Sequence, residues 1–236
     1  MAVAAIADIH ANLHALQAVL ADPRFRSADE VVVLGDSIAG PFPAETFDLL
    51  EDLGAKAQIL RGNADRLVLE EDTEASRWRR QRLGSERLAT VAGWPPWFPI
   101  EVPGLGRVRC CHATPRSDEE IVTRFTPADE LAFVLADTEE PVVIGGHTHV
   151  QLDRSVPGRR LLNPGSVGLP YEGARGAFWA LLGPDVEFVR TDYDVDAAAE
   201  AIRAVGYPDV DAHESSLLEP PDPEDVSKYF ESLRGS

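Results

Sequence analysis

Short β-branched or apolar runs alternate with stretches of helical periodicity through the first part of the chain. Runs at 3–7, 31–35 and 57–61 predict strands, and 14–22 and 44–54 between them predict helices. Strand, helix, strand order implies right-handed crossovers and a largely parallel sheet. Asn12 or a neighbour is placed to start the first helix, and Gly54 to end the second. Residues 66–92 are polar and Arg-rich and predict a helical segment that interrupts this rhythm and could cap a site. The prolines of 93–99 then force a turn.

The pattern changes in the second half. Strand candidates fall at 99–102, 107–111, 141–146, 151–156, 160–163, 177–182 and 186–192, with a helix at 127–137. Pro-Gly-Arg and Gly-Pro-Asp turns at hairpin spacing predict antiparallel strands here. Residues 196–206 predict a helix, and the tail from 213 predicts a loop plus a short terminal helix. The whole chain, 1–236, fits one α/β domain better than two. Its expected form is a four-layer αββα sandwich of two mixed β-sheets flanked by helices, with a cap-like segment at about 66–92 and a C-terminal helix and tail from about 195.

Composition narrows the partners. With 44% apolar residues the chain can bury a sizeable core, and 22 basic against 40 acidic residues give a net charge of −18. That balance argues against a grip on long nucleic acid or on an anionic membrane, because both need clustered cations. No stretch reaches the roughly 20 apolar residues that span a bilayer, and the first ten residues lack a basic leader. Cys110 and Cys111 are neighbours with no third cysteine to pair with, which fits a reducing, cytoplasmic setting. Arginine outnumbers lysine 20 to 2, suggesting a GC-rich, bacterial genome.

Chemistry concentrates where apolar runs end. Asp8 and His10 follow the first strand, Asp36 the second and Asn63 the third; His112 follows 107–111, and His147 with His149 follows 141–146. In open α/β sheets that edge binds ligands. Two aspartates, an amide oxygen and four imidazoles make a mixed O/N set for a borderline divalent ion, Mn, Fe, Co, Ni or Zn, better than for Mg.

These motifs, D-x-H, G-D, G-N, H and G-H-x-H in that order, resemble the calcineurin-like metallophosphoesterase superfamily. The likeness extends through 163–170 and the segment around 193–208 and is weak between 66 and 106. It implies two divalent cations, Mn foremost: one held by Asp8, His10, Asp36 and His149, the other by Asp36, Asn63, His112 and His147, with Asp36 bridging. Two cations about 4 Å apart would turn a bridging water into a nucleophile for phosphoryl displacement. They would also let an acidic chain hold a small phosphoester. The expected activity is hydrolysis of small phosphodiesters or phosphoanhydrides. A dinucleoside polyphosphate hydrolase and a non-catalytic protein-binding scaffold, as in the retromer-subunit branch, are the alternatives.

The chain departs from G-N-H-[DE] at Ala64, where the family carries a histidine that helps protonate the leaving group. Losing a positioned acid costs about 10² to 10⁴ in rate. Asp65 could assist as an acid or cap a turn. His14 lies one helical turn past His10 and could approach the site. Asn12 and Arg80 are candidate substrate contacts, the latter within a cluster of Arg77, Arg79, Arg80, Arg82 and Arg87 that could meet a second phosphate or balance Glu70, Glu71 and Glu74. Trp78, Trp94 and Trp97 could stack on a base or pack in the core, and exposed tryptophans with a Pro-rich tail permit a homodimer.

Overall fold

The computed structural model describes residues 1–234. Its first sheet holds β1 (Val3–Ile6), β2 (Glu30–Val33), β3 (Ala57–Ile59), β9 (Ala177–Leu182) and β10 (Val186–Thr191) in the order β10-β9-β1-β2-β3. β1, β2 and β3 run parallel, and β9 and β10 add antiparallel on the other side of β1. The second sheet orders β4 (Trp97–Val102), β5 (Gly106–Cys111), β6 (Val142–Ile144), β8 (Arg159–Asn163) and β7 (Leu152–Val156) as β4-β5-β6-β8-β7. Both sheets are mixed, as the sequence predicts. The hairpins β4–β5 and β7–β8 are antiparallel, but β6 pairs parallel with both β5 and β8. Purely antiparallel pairing in the second half therefore fails at its centre, because the chain reaches β6 by a crossover through α6 (Ala128–Val134) rather than a tight turn.

The sheets face each other across a core of Ala5, Val32, Leu34, Val108, Cys110, Ile144 and Leu162, all fully buried. On its outer face the first sheet packs Ile6, Val31 and Trp179 against α1 (Leu13–Ala21), through Leu16 and Val19. The second sheet packs Cys111, Val143 and Leu161 against α6 through Leu131 and Val134. Each such aliphatic side chain contributes about 1.5 to 3 kcal/mol by burial. Alternation along β5 explains why adjacent Cys110 and Cys111 belong to different cores.

Asn12 caps α1 as predicted, its Oδ1 accepting the Ala15 N–H at 3.1 Å. After the short α2 (Pro23–Ser27), α3 (Pro43–Glu51) ends before Gly54, which instead opens a 3₁₀ turn at φ +57°. The 66–92 segment is two helices, α4 (Asn63–Glu70) and α5 (Glu74–Gly93), the second kinked where Gly84 takes φ +74°. Its arginines serve architecture. Arg80 donates to the Val68 and Glu71 carbonyls that end α4, Arg87 pairs with Asp48 on α3, and Arg82 donates to the Val205 carbonyl. Of the tryptophans, Trp97 is exposed and Trp94 and Trp179 are buried. After α7 (Val195–Ala204), the expected loop from 213 is instead the helix α8 (Val210–Leu218), because Leu217 buries against Val195 and Ile202; α9 (Pro223–Leu233) follows.

Candidate metal centre

Five strands from both sheets end at one place. Asp8 follows β1, Asp36 follows β2, Asn63 opens α4 after β3, His112 follows β5, and His147 with His149 follows β6. The turns that carry them are strained. Asp8, His10, Asp36, His147 and His149 all have φ between 46° and 71°, and Ala11 is the other non-glycine residue in that region among those described. Such backbone costs about 1 to 3 kcal/mol per residue and persists where surrounding structure enforces it. Glycines make room for the carboxylates: a Cβ on Gly62 would lie 2.1 Å from Asp36 Oδ1, and one on Gly146 2.4 Å from Asp8 Oδ2.

Each imidazole is oriented by a backbone carbonyl. His112 Nδ1 contacts the Leu34 carbonyl at 2.7 Å, His149 Nδ1 that of Leu169 at 2.7 Å, His10 Nδ1 that of Ala39 at 3.3 Å, and His147 Nε2 that of Glu119 at 3.1 Å. A carbonyl only accepts, so these nitrogens carry the hydrogens; in His10, His147 and His149, whose rings burial keeps neutral, the opposite nitrogens turn bare lone pairs toward the centre, while without metal His112 carries a hydrogen on Nε2 as well. His10 Nε2 and His149 Nε2 then face each other at 3.1 Å. Asn63 Oδ1 sits 2.8 Å from His112 Nε2 and 3.1 Å from His147 Nδ1. Asp36 Oδ2 lies 3.6 Å from His10 Nε2 and 3.4 Å from His112 Nε2, and Asp8 Oδ1 3.5 Å from His149 Nε2.

Acceptors thus crowd acceptors, and the electrostatics register the conflict. Burial disfavours a charged His112 ring, but the Asp36 and Asp8 carboxylates outweigh it and push its pKa up to about 10. Burial holds the Asp8 carboxyl above its ordinary value, with Asp36 and Asp65 adding to the effect. Asp36, despite burial, is held below the carboxylate range by His112. Burial lowers His147 to about 4, helped by His112, and lowers His10 and His149. The centre calls for positive charge, and a divalent cation fits its donors. Two compact groups could hold one, Asp8 with His10 and His149, and Asp8 with Asp36 and His112. Asp8 belongs to both, while Asp36 also reaches a histidine of each, so both aspartates lie between them.

Other candidates take different places. Asp65 is fully buried; its carboxylate accepts the N–H of Ser37 and Ile38 at 2.9 Å and of Gly62 at 3.1 Å, locking the Asp36 and Asn63 turns together. Burial and Asp36 raise its pKa to about 7. Asn12 spends its amide on the Gly168 carbonyl and the Tyr193 hydroxyl, and His14 packs edge-on against Phe42. Neither joins the cluster, and Arg80 is committed to α4. The turn at 163–166 buttresses two ligand loops instead: Asn163 Nδ2 donates to the Gly146 carbonyl and Ser166 Oγ to that of Asp8. Tyr171, which no motif announced, stacks on His149 at 4.7 Å.

Comparison with known proteins identifies the family and the fold. The calcineurin-like phosphoesterase superfamily domain matches residues 1–182. An uncharacterized protein of Methanocaldococcus jannaschii is 29% identical, over 85% of this chain and 91% of its own length. The crystal structure of a metallophosphoesterase from Sphaerobacter thermophilus is similar with TM-score 0.78 and 27% identity, covering 93% of this chain and 99% of that one. A hypothetical protein from Pyrococcus horikoshii OT3 shares the fold with TM-score 0.82 at 19% identity, covering 94% and 99%.

Proposed function

The chain belongs to the calcineurin-like phosphoesterase superfamily, and from that premise we propose that it hydrolyses small phosphodiesters with two divalent cations, Mn foremost. The single observation that carries this reading is the pair of ring nitrogens of His10 and His149, facing each other at 3.1 Å with their hydrogens committed to Ala39 and Leu169. With those tautomers two lone pairs oppose each other, and a cation between them makes the arrangement favourable.

Asp8, His10, Asp36 and His149 would hold one cation, and Asp36, Asn63, His112 and His147 the other. Bound there, such cations supply Lewis acidity toward phosphoryl oxygens and toward water. The protein's part is orientation. Backbone carbonyls fix four imidazole tautomers, the Ala64 N–H donates to Asp36 Oδ1 at 2.8 Å, and Asp65 ties the two turns. With no imidazole at position 64, the first turn of α4 brings no acid to the leaving group, so rates should favour good leaving groups.

Metal-stripped protein assayed on bis-p-nitrophenyl phosphate, with Mn²⁺ restored against a chelator control, tests the proposal. Turnover that appears only with metal supports it. Metal that binds without turnover would favour the scaffold alternative.

A further inference from the structure

His147 and His10 are the two cluster histidines that are only partly buried, so packing alone does not set the His147 ring. Its backbone is fixed by the N–H donated to Asp8 Oδ2 at 2.9 Å, yet the ring can still turn about its side-chain bonds. Two contacts hold it, Nδ1 against Asn63 Oδ1 at 3.1 Å and Nε2 against the Glu119 carbonyl at 3.1 Å. The first partner stands at the start of α4. The second lies in an irregular stretch, 114–120, shaped from within by the Glu119 N–H on Ser117 Oγ at 3.1 Å and by the Thr114 hydroxyl on Glu120 at 2.6 Å.

Arg66 joins that stretch to α4. Its Nε donates to Asp118 Oδ2 at 2.8 Å and its Nη2 to Asp118 Oδ1 at 3.2 Å, and Nη2 also reaches Glu119 Oε1 at 2.6 Å. Two parallel bonds from a planar fork fix orientation as well as distance. Asn63 and Arg66 leave the same first turn of α4, so one helix governs both ends of the His147 ring. Asn63 faces Nδ1 directly, and Arg66 grips the two residues whose backbone presents the carbonyl to Nε2. The Glu70 carboxylate takes the remaining arm of the guanidinium at 3.2 Å, which leaves this arginine spent on the protein's own carboxylates.

We propose that Arg66 is a positioning residue for one of the two metal groups: by clamping Asp118 and Glu119 it holds the Glu119 carbonyl on His147 Nε2 and so aims Nδ1 at the place shared by Asn63 and His112. The inference rests on the two-cation reading for what Nδ1 meets and deepens it by naming what sets the His147 tautomer. Charge alone predicts the opposite effect. Removing a positive group near a cation strengthens cation binding by Coulomb's law, so weaker binding without Arg66 reports lost orientation.

Stepwise Mn²⁺ affinities of the full chain, measured by calorimetry for wild type, Arg66→Gln, Arg66→Lys and Arg77→Gln, test this. Arg77 is the control, a more exposed arginine paired with Asp72 rather than with a residue beside a ligand. Arg66→Gln should lose about tenfold at one step, the lower end of what loss of support around a metal ligand costs, and leave the other step unchanged. Arg66→Lys, which keeps a cation without the fork, should recover part of that loss, and Arg77→Gln should match wild type. A second readout needs no metal: ¹⁵N spectra of the histidine rings in chelator, with His147 assigned through His147→Asn. They should show the His147 hydrogen on Nε2 in wild type and shared between both nitrogens in Arg66→Gln. Unchanged or tighter Mn²⁺ binding in Arg66→Gln, equal losses at both steps, an equal loss in Arg77→Gln, or the same single tautomer in both proteins would overturn the assignment. Turnover of bis-p-nitrophenyl phosphate in the same samples reports separately on catalysis. Its absence in wild type, with the tautomer and affinity changes intact, would remove the enzymatic reading and leave the clamp standing.

Discussion

The backbone N–H of Ala64 donates to Asp36 Oδ1 at 2.8 Å, while the Ala64 methyl lines a cavity beside His10. The residue that departs from the family pattern thus keeps a structural duty through its main chain and leaves its side chain free to change. Ala64→His should retain that bond and place an imidazole in the cavity. We expect kcat on esters of poor leaving groups to rise by about 10²-fold, with much less effect on p-nitrophenyl esters. An equal change on both would show that position 64 does not act on the leaving group.

Gly62→Ala probes the fit around Asp36. Gly62 has an ordinary negative φ of −91°, yet its Cβ would fall 2.1 Å from Asp36 Oδ1 and 2.5 Å from the Asp36 backbone nitrogen. The carboxylate and the turn that carries it must both shift, and metal affinity should drop by about 10 to 100-fold, as for other losses of support around metal ligands. Gly93→Ala has no atom within 4 Å of its new Cβ and should change stability by less than about 0.5 kcal/mol. Unaltered metal affinity in Gly62→Ala would mean that Asp36 does not need its present position.

The strand ends and their chemistry were legible because each ligand follows an apolar run directly: Val33 to Asp36 and Ile144 to His147 need only short turns. That β6 pairs parallel on both sides was not legible, since three residues of Val and Ile serve either direction. His213 and Tyr171 were equally hidden. Their proximity to His10 and His149 arises from how α8 and the 169–172 loop return to the centre, and no local spacing encodes that. Arg80 misled because an arginine beside a phosphate and one capping α4 look identical in sequence.

Metal loading should raise thermal stability. The opposed nitrogens of His10 and His149 are relieved by a cation, and a ligand at 100 times its Kd stabilises by about 2.7 kcal/mol. Melting curves with chelator and with Mn²⁺ should therefore differ by several degrees, and the difference should shrink in His149→Ala, which keeps the donors around Asp36 and His112. A shift of the same size in that variant would place the cation elsewhere.

Asp36→Asn removes a charge from between the two donor groups while keeping its shape. Turnover should fall by roughly 10³-fold or more, equivalent to about 4 kcal/mol of barrier. Bound metal, counted by elemental analysis, should fall in the same variant. Activity retained with full metal content would remove Asp36 from the centre of the mechanism.

His213 gives the fold a pH dependence that can be isolated. Burial lowers its pKa to about 3, with His10 and Arg79 adding to the effect, so the folded protein keeps the ring neutral where the unfolded chain, near 6.5, protonates it. Between those values the unfolded state binds the extra proton, and stability falls as pH drops from about 6.5 toward 3. Above that window the group contributes no slope. From pH 7.5 to 5, its share of the loss should be about 2 kcal/mol. His213→Leu keeps an apolar side chain of similar bulk and cannot titrate. Urea unfolding of Mn²⁺-loaded wild type and variant at both pH values should show the wild type losing that much more stability, because titrating groups common to both cancel in the difference. Identical losses would mean that the ring takes up its proton within the fold, and that the packing around Arg79 opens to water well before the protein unfolds.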